Sequence, residues 1–146
     1  MKAPDQLIAQ IQRQEELRLT AYQDTLGNWT VGWGHTPASP GQTITEAEAL
    51  SLLMQDLNEA QTSLIAALPW AQSLDVCRYC VLWNMTFNMG IGRLLEFRMM
   101  LAAVREKNWP EAAKQMLNSL WASQVKTRAV ELAEQMEAGS WFNPEA

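Results

Sequence analysis

Between residues 4 and 15 the apolar positions Leu7, Ile8 and Ile11 recur three to four apart, the rhythm of one helix face. Pro4 suits a first helical turn and Asp5 its positive end, so the spacing predicts an amphipathic helix over 4–15. From residue 18 to 35 the rhythm changes. Leu19–Tyr22 and Trp29–Trp33 are rich in aromatic and β-branched residues, and Gly27-Asn28 between them is a turn signal, which predicts a β-hairpin. Residues 36–44, TPASPGQTI, are loop-like, and Thr45-Glu-Ala-Glu48 reads as a capping box. A long helix is expected from 46 to 68, with Ala49, Leu50, Leu53, Leu57, Leu64 and Leu68 inside and Pro69 ending it.

The remainder reads as helices. In the first, over 73–89, Ser73 or Asp75 is the cap, Val76, Cys80, Trp83 and Phe87 form the apolar stripe, and Gly90 is the stop. A second is expected over 93–106, with Leu94, Leu95, Phe97, Leu101 and Val104 inside and Met99 and Met100 assigned to the core. Asn108 caps a third, 111–122, behind Trp109-Pro110, and a fourth covers 125–138 with Gly139 as its terminator. Ser140-Trp141-Phe142 is expected to fold back.

At 146 residues and 48% hydrophobic, the chain is long enough for one domain with a real core. Its net charge of −5 argues against nucleic acid or an anionic membrane as the main partner. The first sixteen residues hold no continuous apolar stretch, so no export signal is expected, nor is a membrane span. Cys77-x-x-Cys80 lies within a helical pattern and lacks further soft ligands; packing is the expected role. His35, the only histidine, cannot build a metal site alone.

The candidate chemistry lies in EELRLTAYQDTLGNWTVGWGHT, residues 15–36. Glu15 falls on the apolar stripe of the first helix, four residues after Ile11, whereas Glu16 points about 100° further round, toward solvent. A carboxyl beside apolar surface is pushed toward its protonated form, as a general acid near neutral pH requires. Gly32 and Gly34 alternate in the second strand and allow close approach of a ligand or backbone.

The spacing Glu15-x8-Asp24-x5-Thr30, within EELRL-x-x-Y-x-DT-x-G-x-WT-x-G-x-GHT, closely resembles the catalytic segment of phage-type lysozymes, the muramidase endolysins of tailed bacteriophages. The stretches NW-P-EAA and LW-x6-RA and the closing G-x-W extend the likeness to residues 5–142. The resemblance implies a mainly α, α+β, bilobed lysozyme-like fold within one domain, 1–146. A small β-hairpin lobe, about 14–55, would be joined by the long helix to a helical lobe, 1–13 and 56–146, with a cleft between.

The resemblance further implies hydrolysis of the β-1,4 bond between N-acetylmuramic acid and N-acetylglucosamine in peptidoglycan, without a cofactor or metal. Glu15 would be the acid, and Asp24 and Thr30 would position and activate water. Arg128 would support Glu15, and Phe87, Asn88 and Gln115 would contact sugar. His35 would pair with Asp56. The protein would act as a monomer in host lysis, held in the host cytoplasm until a separate pore releases it. A carboxyl separation of about 6.5–9.5 Å would mean inversion and about 5–5.5 Å retention. Relatives usually carry Gly where Glu16 stands, a residue that would be strained in a left-handed backbone. Two alternatives stay open: a lytic transglycosylase on the same bond, and an inactive wall-binding protein.

Overall fold

Local sequence rules account for the first elements. In a computed structural model describing residues 1–145, α1 occupies Asp5–Gln14, with Pro4 before it and Glu15 as an extended C-terminal cap. Strands β1 (Arg18–Gln23) and β2 (Trp29–Gly32) pair antiparallel through Tyr22↔Thr30 and Gln23↔Trp29. The register slips between Tyr22 and Arg18, which sits opposite Gly32, so β1 carries a bulge. Trp33 leaves the strand. Val31 and His35 exchange both backbone hydrogen bonds at 2.9 Å, closing a tight turn that needs Gly32 and Gly34 at φ +68° and +77°.

Helix α2 runs Glu46–Ala67. The capping box forms in both directions: Thr45 N–H donates to Glu48 Oε1 at 3.0 Å, and Glu48 N–H to Thr45 Oγ1 at 3.1 Å. Pro69 ends the α-helix in a 3-10 turn, Pro69–Ser73. Leu53, Leu57 and Leu64 are buried as expected, but Leu50 is exposed at 42%.

The remaining elements are α3 (Val76–Met89), α4 (Ile91–Leu94), α5 (Arg98–Arg105), α6 (Trp109–Leu117), α7 (Leu120–Val125) and α8 (Thr127–Ala138). The result is a mainly α, α+β fold of lysozyme type, with one two-stranded sheet among the described residues. The chain divides into two compact units, Met1–Glu59 and Ala60–Ala146.

In the second unit α3 is the central element. Asp75 is its cap, accepting from Arg78 N–H. Every residue from Tyr79 to Thr86 is buried, so the single stripe expected from the sequence gives way to a helix covered on all sides, while Val76 at its start is exposed. Cys77 and Cys80 are free thiols packed in this helix; burial pushes the Cys80 thiol up to about 12, which makes it inert.

The helix expected over 93–106 is broken. The chain turns at Leu95–Phe97, which leaves Leu95 exposed, sends Met99 to the surface at 68% exposure and buries Met100. The 111–122 helix is likewise split, because Ser119 caps a new start by accepting from Ala122 N–H.

Arg78 ties α3 to the end of α8. Its Nε donates to Met136 O at 2.6 Å and its Nη2 to Glu137 O at 2.8 Å, and the guanidinium lies 3.9 Å from the Trp109 ring centre. Gly139, left-handed at φ +70°, leaves room for it: a Cβ there would come within 2.7 Å of Arg78 Nη1. A cation on helix-terminal carbonyls is favourable. Arg78→Ala is therefore expected to lower stability by about 2 kcal/mol, the scale of two charge-assisted hydrogen bonds. Urea unfolding measures this, and an unchanged midpoint would contradict it.

Candidate active site

Glu15 stands where α1 gives way to an extended chain, its N–H still bonded to Ile11 O at 2.7 Å. Its side chain is half-buried. The carboxyl lies against Gly34: a Cβ on that glycine would come within 3.1 Å of Glu15 Cδ and Oε2. The tight Val31–His35 turn thus delivers a backbone without a side chain to the face of this carboxyl. Glu16 faces solvent, 79% exposed, and forms an ion pair with Arg18 at 3.4 Å. Glu16 is not among the described residues with positive φ, so the strain expected of a left-handed backbone there does not arise.

Asp24 is fixed by the turn it opens. Its Oδ1 accepts from the N–H groups of Leu26 and Asn28, both at 2.9 Å, and its Oδ2 from the Asn28 side-chain amide at 3.3 Å. These donors, the Asn28 N–H foremost, hold the carboxyl below the ordinary aspartate range and keep it ionised. Its stabilising effect on the hairpin is present above the unfolded-state pKa, about 3.9. That effect is lost as pH falls through the lower folded value. Carboxyl-carbon NMR is expected to show Asp24 titrating below 3.8, with the hairpin shifts following it; titration above that value would contradict the donor geometry.

Thr30 is buried at 5% exposure, and its hydroxyl donates to Asn28 O at 3.3 Å. Asn28 is thus a hub that the sequence reading did not single out. It gives two donors to the Asp24 carboxylate, and its carbonyl accepts from both Asp24 N–H and Thr30 Oγ1. The available signal is an Asn four residues after an Asp across a turn containing Gly27. Tyr22, part of the motif, carries no assigned role in the sequence reading. It sits opposite Thr30, with the Arg18 guanidinium 4.8 Å from its ring centre. Burial first, and then the charge of Glu15, push its phenol up from the ordinary value.

The His35–Asp56 pair forms as the resemblance implied, Nδ1 to Oδ2 at 2.9 Å. Burial holds the Asp56 carboxyl above its usual range despite the opposing effect of His35. The pair anchors the Val31–His35 turn to α2, a structural role.

The other sequence-derived residues lie in the second unit. Arg128, the second residue of α8, is buried rather than a surface charge. Asn88 is half-buried near the end of α3, and its Oδ1 accepts from Trp121 Nε1 at 2.7 Å. Phe87 is half-buried beside it. Gln115 donates to Glu111 Oε1 at 3.0 Å and lines a pocket of about 380 Å³. No group of His, Cys, Asp and Glu among the described residues could hold a metal ion.

The sequence model of the phage lysozyme family matches residues 12–135. A probable T4-type lysozyme of Dictyostelium discoideum is 29% identical, over 84% of this chain and 88% of its own length. The pre-baseplate central spike protein Gp5 of Enterobacteria phage T4 is 32% identical over 86% of this chain but only 27% of its own length. The peptidoglycan hydrolase gp36 of Pseudomonas phage phiKMV is 30% identical over 84% of this chain and 14% of its own.

Proposed function

Because the chain belongs to the phage lysozyme family, we propose that it is a peptidoglycan-cleaving hydrolase. It splits the β-1,4 bond between N-acetylmuramic acid and N-acetylglucosamine. Glu15 is the general acid, and Asp24 and Thr30 govern the water. The observation that carries this reading is the contrast between two carboxyls in one compact unit. Glu15 is half-buried against the bare Gly34 backbone, whereas Asp24 is held ionised by backbone donors.

The chemistry follows from that contrast. Glu15 gives its proton to the glycosidic oxygen as the bond to the anomeric carbon breaks, so the leaving sugar departs as a neutral hydroxyl. Positive charge develops at the anomeric carbon, and the Asp24 carboxylate stabilises it. Asp24 is a weak base because its turn donors stabilise the anion. It therefore acts chiefly by charge and by gripping water, and takes the water proton only as the new C–O bond forms. Thr30, tied to the same turn through Asn28, supplies a hydroxyl to orient that water. Solvent then returns Glu15 to its protonated state and Asp24 to its ionised state. Arg128 supports the acid, and Phe87, Asn88 and Gln115 contact sugar. The role is host lysis by a monomer that reaches the wall from the host cytoplasm through a separate pore.

The test is product analysis. Mass spectrometry of digested Gram-negative peptidoglycan is expected to show reducing muramic ends carrying the mass of one water. Anhydromuramic ends would replace this reading with a lytic transglycosylase. Asp24→Asn is expected to lose most activity while staying folded. Undiminished clearing by Asp24→Asn would remove Asp24 from the mechanism.

A further inference from the structure

Asn28 ends the turn that Asp24 opens, and it bonds to both water-governing groups. A carboxylate has about four acceptor sites, two on each oxygen. Both sites of Asp24 Oδ1 are taken, by the N–H groups of Leu26 and Asn28. One site of Oδ2 is taken by the Asn28 amide at 3.3 Å. Asp24 has no further side-chain bond among the described residues, so one acceptor site is left on the whole group. The Asn28 carbonyl, for its part, accepts Asp24 N–H at 2.8 Å and the Thr30 hydroxyl at 3.3 Å. Thr30 Oγ1 has then spent its only proton and can act toward a further partner only as an acceptor.

We propose that Asn28 is a positioning residue for the attacking water: its amide leaves Asp24 one acceptor site and its carbonyl makes Thr30 an acceptor, so that the two together take both protons of a single water. The inference rests on the functional reading above. A water that gives both protons to the turn has only its lone pairs left for the anomeric carbon. As the new C–O bond forms, one water proton passes to Asp24 Oδ2, while the departing sugar oxygen takes the proton of Glu15. Without the amide, Oδ2 offers a second site, and a water held there is not shared with Thr30. The amide also tempers Asp24 as a base. It acts with the N–H groups of Asn28, Leu26 and Gly27 in holding that carboxyl below the ordinary range. The charged groups around this turn are Glu15 at the end of α1, Glu16 beyond it and Arg18 on β1, which act together with Asp24 on the Tyr22 phenol. None of these groups is hydrogen-bonded to Asp24, so the turn itself sets how that carboxyl is held.

The experiment measures kcat, KM and the pH dependence of kcat on purified Gram-negative peptidoglycan for the wild type, Asn28→Ala and Asn28→Asp. Both variants keep the backbone bonds of the turn, so Asp24 Oδ1 and the Thr30 hydroxyl stay in place. Asn28→Ala is expected to lower kcat about tenfold, the scale of one charge-assisted hydrogen bond. KM should be unchanged, because the amide grips Asp24 and not the sugar. The acid limb of the kcat profile, which reports Asp24 becoming ionised, should move to higher pH. Asn28→Asp keeps the shape of the side chain but puts a carboxyl oxygen where the amide nitrogen stood, 3.3 Å from Oδ2. Two carboxyls at that separation share a proton, so the acid limb should rise further than in the alanine variant. Carboxyl-carbon NMR should show Asp24 titrating in the same order, the wild type lowest, whether or not substrate is cut. A wild-type kcat and acid limb in Asn28→Ala overturns the proposal. So does a loss of kcat with an unmoved acid limb, the result a merely structural role would give. Failure of the wild type to cut peptidoglycan while the NMR order holds instead overturns the hydrolase reading.

Discussion

Glu15→Gln is expected to slow the clearing of permeabilised Gram-negative cells by about a hundred- to ten-thousandfold, the span that general acid–base groups contribute. The protein should remain folded, because Gln keeps the shape of the side chain and removes only the proton to be given. Glu16→Gln should leave clearing nearly unchanged. Adjacent in sequence, the two glutamates differ in surroundings: Glu15 is half-buried against Gly34, while Glu16 is 79% exposed and held to Arg18. A leaving sugar can be protonated only by an acid in contact with it, and a solvated surface pair does not supply that. Loss of activity in the Glu16 variant with retention in the Glu15 variant would move the acid by one residue.

Gly34→Ala is expected to lower activity about a hundredfold at a stability cost of only about 1–2 kcal/mol. The two effects have separate causes. The stability cost comes from placing a side chain at φ +77°. The activity loss comes from the new Cβ, which would sit 3.1 Å from Glu15 Cδ and Oε2. The end of a glutamate side chain can swing away, so the clash is relieved cheaply in energy but at the expense of the acid's position. Gly41→Ala is the control. It has the same φ of +77° with nothing within 4 Å of its added Cβ, so it carries the backbone cost without touching the site. Clearing assays and thermal unfolding on both variants separate the two terms. Equal activity in the two would show that the approach of Gly34 to Glu15 does not matter to the chemistry.

Much of this molecule is written locally. The capping box at Thr45 and Glu48, the stop at Gly90, the Asn108 cap, the hairpin turn at Gly27 and the polarity contrast between Glu15 and Glu16 each depend on residues within a few positions of one another. Backbone rules within one turn of chain are enough to place them. The long motif carried the family, and it brought Glu15, Asp24 and Thr30 forward together.

The amino-acid sequence alone therefore determined which segments are helix and strand, where most of them stop, and which carboxyls to consider. Tertiary structure decided which faces are covered. Periodicity says that a helix has an apolar side; it does not say how many neighbours surround it. That is why α3 is buried from Tyr79 to Thr86 while Val76 and Leu50 lie in solvent, and why Met99 and Met100 part company. The same reason applies to the Glu15–Gly34 approach, the Asn28 hub and the Arg78 clasp on α8. Each depends on a three-dimensional distance between groups whose separation along the chain carries no signal of it.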